Sequence, residues 1–152
     1  MSTPLRIGLV GGGVVGGGVV ELISRISSPL ATVQTVVVRD ASKPRDFALP
    51  KGVTLTSDMK AVLEDDSINC VVEVMGGCGV AKDVVLQSLA RGKHVVTANK
   101  ALVATHMPEI EAAARAAPGG AKLAFEAAVC GAIPIINTLQ TCYVGDVVTS
   151  VQ

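Results

Sequence analysis

Three regions of the sequence carry residues whose types and spacing could do chemistry. The first is Gly11-Gly12-Gly13-Val14-Val15-Gly16, which fits G-x-G-x-x-G. Gly11 at that spacing allows a tight turn. Gly13 lets the backbone approach a pyrophosphate, and Gly16 lets a helix pack close to the preceding strand. A helix opening there offers free N–H groups and a partial positive charge to phosphates. The bland alternative is a glycine-rich turn with no ligand. The second region is Val38-Arg39-Asp40, with Lys43 and Arg45 close behind. At the end of a second strand, an acid holds the ribose 2′-hydroxyl of NAD, and an arginine accommodates the 2′-phosphate of NADP. Three cations beside one acid favour NADP, and a solvated polar loop is the competing reading.

The third region comprises segments that follow later strands. Glu73 stands inside the apolar run Val71-Val72-Glu73-Val74 and is followed by Met75-Gly76-Gly77. An acid in such a run is unusual, because carboxyl groups are rarely buried unpaired, and a partly exposed acid paired with a neighbour is the competing reading. Two glycines after a strand permit a ligand to come close. Lys100 lands just past another strand, where a cation could polarise a substrate oxygen or assist proton movement. A surface lysine is the alternative. Glu126 precedes a short irregular stretch and then Pro134. A carboxylate with loop carbonyls suits a hard cation, and a helix-capping network explains it equally well. His94 begins a strand on the far side from this edge and reads as structural.

The elements that must position these groups follow from periodicity. Residues 5–10 read as a strand buried on both faces, and Val15, Val19, Leu22, Ile23 and Ile26 recur at helical spacing. Strands are predicted over 32–38, 70–75, 94–97, 122–125 and 146–151, with a short one at Thr54-Leu55. Asp58 would cap a helix running to about residue 64. Ala81, Val84, Val85, Ser88 and Leu89 form one helical stripe, with Gly92 as its stop. An alanine-rich helix is expected over 107–117, and another from Pro134 to about 141. Strand–helix alternation of this kind predicts an α/β fold, a doubly wound and mostly parallel sheet.

Composition agrees. The 152 residues fit one domain, 1–152. Lys plus Arg is 13 and Asp plus Glu is 13, so a zero net charge argues against nucleic acid as a partner. Aromatics are 2%, so the core must be Val, Ala, Leu and Ile. No run reaches the ~18 apolar residues of a membrane span. Four cysteines without C-x-x-C pairing read as free thiols in a reducing compartment, and a cytoplasmic location is expected.

Taken in order, these motifs resemble homoserine dehydrogenase, in its N-terminal NAD(P)-binding domain. Gly92-Lys93-His94-Val95-Val96-Thr97-Ala98-Asn99-Lys100-Ala101-Leu102 and Phe125-Glu126-Ala127-Ala128-Val129-Cys130-Gly131-Ala132-Ile133-Pro134 carry the resemblance most specifically. It implies a Rossmann-like fold and NAD(P)-dependent hydride transfer between L-homoserine and L-aspartate 4-semialdehyde, in threonine and methionine biosynthesis. It implies that Gly12, Val14 and Val15 touch the cofactor beside Gly11, Gly13, Gly16 and Gly76. Arg39 would meet the 2′-phosphate, and Lys100 would be catalytic beside the nicotinamide. Glu126, with main-chain oxygens of Val129, Gly131 and Ile133, would hold a sodium ion. Relatives often have an aromatic and a threonine where this chain has Gly12 and Val14, and a glycine in place of Ala132. The family's substrate and dimerisation domain is expected to be missing from these residues, so the chain should bind cofactor without efficient turnover. A homodimer through the last strand's edge is a further expectation. The alternatives are a non-catalytic dinucleotide-binding module, the partner of a separate substrate-binding chain, or another oxidoreductase using Cys130 as a nucleophile.

Overall fold

A computed structural model describes residues 3–26, 30–147 and 149–150. Six strands form one sheet: β1 (Leu5–Val10), β2 (Ala31–Val37), β3 (Thr54–Thr56), β4 (Cys70–Glu73), β5 (His94–Thr97) and β6 (Leu123–Ala124). Their order is β3-β2-β1-β4-β5-β6, and every neighbouring pair is parallel. The helices are α1 (Val14–Ile26), α2 (Lys60–Leu63), α3 (Gly79–Ala90), α4 (Lys100–Ala116) and α5 (Ile135–Thr141). The strand order turns back between β1 and β4, and a crevice outside the carboxyl ends of the strands opens at that point.

Strand pleat explains the two-sided core. Ile7, Leu9, Val36, Val38, Cys70 and Val72 point to one face, where Val20 of α1 joins them. Val10, Val37 and Val71 point to the other, against Val62 and Leu63 of α2 and Val84 of α3. Further along that face, Val95 meets Ala81, Val85 and Leu89 of α3 and Leu102 and Ile110 of α4. The predicted α3 stripe is buried in full: Ala81, Val84, Val85, Ser88 and Leu89. Gly92 follows it with a left-handed φ of 72°.

Two expectations are corrected. The helix expected over 107–117 begins seven residues earlier, at Lys100, and runs through Pro108. Its start is set by Asn99, whose side chain caps it. The strand expected over 146–151 does not form in its described residues, since 146, 147, 149 and 150 pair with no strand. Val147 is 86% exposed there. Val148 and Val151 lie outside the described residues.

Candidate functional site

The glycine loop joins β1 to α1 at the crevice. Gly11 has a φ of 112°, and its N–H donates to the Val37 carbonyl at 2.9 Å. A Cβ on Gly11 would stand 2.7 Å from the Val74 carbonyl carbon and oxygen. A Cβ on Gly16 would fall 1.9 Å from the Gly11 carbonyl oxygen. Both positions therefore require glycine for the turn itself. Gly13 differs, because a Cβ there would meet no atom within 4 Å. It is exposed, its backbone is ordinary, and nothing in the fold demands a glycine. Open space at that point, at the N-terminus of a thirteen-residue helix, fits a phosphate group that needs backbone N–H contact. Val14 and Val15 stand at the rim, 93% and 57% exposed.

A cleft of about 560 Å³ runs from this loop to the end of β2, lined by Gly11, Gly12 and Gly13 and by Arg39, Asp40, Lys43 and Arg45. Arg39 is exposed into it. Asp40 is engaged by its own turn: its Oδ1 accepts from the Ser42 N–H at 3.0 Å and from the Ser42 hydroxyl at 2.7 Å. Those two bonds, with a smaller pull from Arg45, hold the Asp40 carboxyl below the usual carboxylate range. Lys43 lies 3.9 Å from its other oxygen, and the Arg45 guanidinium donates to the Asp40 carbonyl. The one acid is thus tied locally while three cations surround the cleft.

A second cleft, about 620 Å³, lies at the carboxyl ends of β4 and β5 and is lined by Val15, Gly76, Gly77, Asn99, Lys100 and Cys130, among others. The structure thereby brings Val15, Gly76 and Lys100 together. Lys100 is the first residue of α4 and is exposed. A cation at a helix N-terminus opposes the dipole by several tenths of a kcal/mol, so its place there is not explained by helix stability. Below the cleft runs a buried polar chain. The Asn99 N–H donates to Thr97 Oγ1 at 3.0 Å, and the Thr97 hydroxyl donates to Glu73 Oε2 at 2.6 Å. Glu73 Oε1 accepts from the Met75 N–H at 2.9 Å. Asn99 Oδ1 accepts from the Leu102 N–H, and its amide donates to the Gly77 carbonyl at 2.6 Å. Sequence reasoning singled out Glu73 but missed Thr97 and Asn99. An Asn immediately before a helix is the signal that would have found the cap. His94 Nδ1 accepts from the Lys122 N–H at 3.0 Å, which ties β5 to the start of β6.

Glu126 does what the capping alternative required. Its two carboxylate oxygens accept from the Ile136 and Asn137 N–H groups, each at 2.8 Å, at the start of α5. The Ile133 carbonyl accepts from the Ile135 N–H at 2.8 Å. Cys130 and Gly131 form the turn between them with φ of 54° and 58°. Glu126 and the Ile133 carbonyl thus both accept backbone N–H groups in this arrangement. Among the described residues, no three His, Cys, Asp or Glu side chains gather as a metal site. All four cysteines are free. Cys70 is buried, and burial pushes its thiol up to about 11. Among the described residues, no helix is long and apolar enough to cross a membrane.

Known proteins share this arrangement. The family model described as homoserine dehydrogenase, NAD binding domain, matches residues 11–126. Homoserine dehydrogenase of Corynebacterium glutamicum is 45% identical over 99% of this chain and 35% of its own length. The crystal structure of a homoserine dehydrogenase from Thiobacillus denitrificans superposes with a TM-score of 0.83 at 41% identity, over 94% of this chain and 34% of that one. A hyperthermophilic archaeal homoserine dehydrogenase in complex with NADPH shares the fold, with a TM-score of 0.70 at 22% identity over 90% of this chain and 48% of that one. The chain spans about a third of the length of the first two. A parallel sheet with its glycine loop at the switch point, matched by sequence across most of its length, places the chain in the homoserine dehydrogenase family, as its NAD binding domain.

Proposed function

We propose that the chain is the cofactor-binding part of an NADP(H)-dependent homoserine dehydrogenase and prefers NADP(H) over NAD(H). One observation carries the preference. Asp40, the acid that would take a ribose 2′-hydroxyl, is held by Ser42, while Arg39, Lys43 and Arg45 line the same cleft. A 2′-phosphate there gains charge-assisted hydrogen bonds of about 1.5–3 kcal/mol each. In this reading Gly11 to Gly16 and the start of α1 hold the pyrophosphate. Arg39 holds the 2′-phosphate, and Gly76 lets the far end of the cofactor lie close to the sheet. The bound nicotinamide supplies the hydride acceptor for homoserine or the donor for aspartate semialdehyde. Lys100 holds the proton at the reacting oxygen. In this reading the chain acts in the cytoplasm on a small amino-acid substrate.

Turnover by these residues alone is slow in this reading. Lys100 is the one charged side chain lining its cleft among the described residues, and no carboxylate there could pair with an amino acid's ammonium. Holding the substrate in attack geometry contributes several kcal/mol. Fluorescence titration with NADPH and NADH, followed by a homoserine assay, tests both points. Equal affinity for the two cofactors would overturn the preference, and rapid homoserine oxidation would overturn the second.

A further inference from the structure

Glu73 is a buried acid that the reading above does not use. It is fully buried in β4, beside Val10 on β1 and Thr97 on β5. Val would fill this position of a parallel sheet without the cost of desolvating a carboxyl group, which is several kcal/mol for an unpaired charge. No ion pair offsets it among the described residues. The hydrogen bonds that do engage it come from Met75 and Thr97, each next in sequence to a residue that lines the Lys100 cleft.

The direction of those bonds is fixed. Thr97 Oγ1 accepts from the Asn99 N–H, so its own proton goes to Glu73 Oε2. The Met75 N–H goes to Glu73 Oε1. Asn99 then joins the two rim segments, donating to the Gly77 carbonyl and capping α4 one residue before Lys100. Gly76 and Gly77 both have left-handed φ, 76° and 73°, and a Cβ on either would meet no atom within 4 Å. That turn is held by two side chains, Glu73 on the Met75 N–H and Asn99 on the Gly77 carbonyl. We propose that Glu73 is a positioning residue for the nicotinamide end of the cleft: through Thr97 and Asn99 it sets the Gly76-Gly77 turn and the first turn of α4 that presents Lys100. This rests on the cofactor reading above.

The test compares two ligands on the same chain. NADPH spans both clefts in this reading, whereas adenosine 2′,5′-bisphosphate lacks the nicotinamide and reaches only the Arg39 end. Glu73→Gln should weaken NADPH by about tenfold, the size of one lost hydrogen bond, and leave adenosine 2′,5′-bisphosphate within about twofold. Thr97→Val should do the same without touching Glu73, and Thr97→Ser should restore NADPH binding. If Glu73→Gln does not fold, the Thr97 pair carries the comparison. Equal loss of both ligands, or no loss of NADPH, would overturn the positioning role. Failure of the unsubstituted chain to bind either ligand would remove the cofactor reading, and this inference with it.

Discussion

A Cβ placed on Gly16 would lie 1.9 Å from the Gly11 carbonyl oxygen, closer than any non-bonded pair can come. The helix and the turn before it can come this close only because residue 16 has no side chain, and Gly13, two residues beyond Gly11, is free of that constraint. The two glycines should separate experimentally. Gly16→Ala forces backbone apart and should cost about 3 kcal/mol or more, a fall of roughly 6–12 °C in Tm. Gly13→Ala should leave stability within about 0.5 kcal/mol, since its φ is ordinary and the space is open. The added methyl should instead weaken NADPH by about tenfold or more, because it enters the space a pyrophosphate needs. Thermal unfolding and a binding titration on both variants decide the matter. A large loss of stability in Gly13→Ala would show that its glycine is structural after all.

Arg39 should discriminate between cofactors. It is exposed in the cleft, and Asp40 beside it is occupied by Ser42. Arg39→Ala should weaken NADPH by about 10–100-fold, as expected for the loss of charge-assisted bonds, and leave NADH nearly unchanged. Parallel titrations measure this. Equal losses would mean that Arg39 contacts something both cofactors share.

Much of this site was legible because each signal had one physical meaning. The segment Leu5 to Val10, apolar but for Arg6, runs into Gly11 and reads as a buried strand and a turn, and the Ala81 to Leu89 stripe has helical spacing. The start of α4 lies earlier than expected because Pro108, a poor interior helix residue, suits a first turn and so marks a start near 107. Asn99 sets the start by accepting from the Leu102 N–H, a local cap that the Asn before the helix signals. The strand expected over 146–151 shows the converse. Valines there have strand propensity, but a strand exists only with a ladder partner, and the edge strand β6 has just two residues. Glu126 was ambiguous in principle, because a carboxylate can accept from helix N–H groups or hold a cation, and only the position of α5 reveals that it does the first.

Asn99 should contribute to stability through two separable bonds. Asn99→Ala removes the α4 cap and the bond to the Gly77 carbonyl, each about 1 kcal/mol, for a total of about 2 kcal/mol. Asn99→Ser keeps a capping oxygen but cannot reach Gly77, so it should recover about half of that loss. Urea unfolding gives the comparison. Identical losses for Ala and Ser would mean that the cap contributes nothing measurable.

Cys70 and Lys93 should shape the alkaline stability in opposite senses. Cys70 is 2% exposed, and burial raises its thiol from 9.0 to about 11. Between pH 9 and pH 11 the unfolded chain has lost that proton while the folded chain keeps it. Stability present below pH 9 is therefore lost as pH rises through the folded value, by on the order of 2–3 kcal/mol. Lys93 is 4% exposed, and its ammonium donates to the carbonyls of Asp65 and Ile68. Burial lowers its pKa from 10.5 against the pull of Asp65 and Asp66. The folded chain thus releases this proton first, and stability rises with pH from the folded value up to 10.5. Cys70→Ala should cost about 1 kcal/mol near neutrality and remove the loss between pH 9 and pH 11. Lys93→Met should remove the opposing gain and steepen the alkaline decline. Urea unfolding at pH 8, 9, 10 and 11 reads both slopes, and an unchanged slope in Cys70→Ala would show that another group governs the alkaline limb.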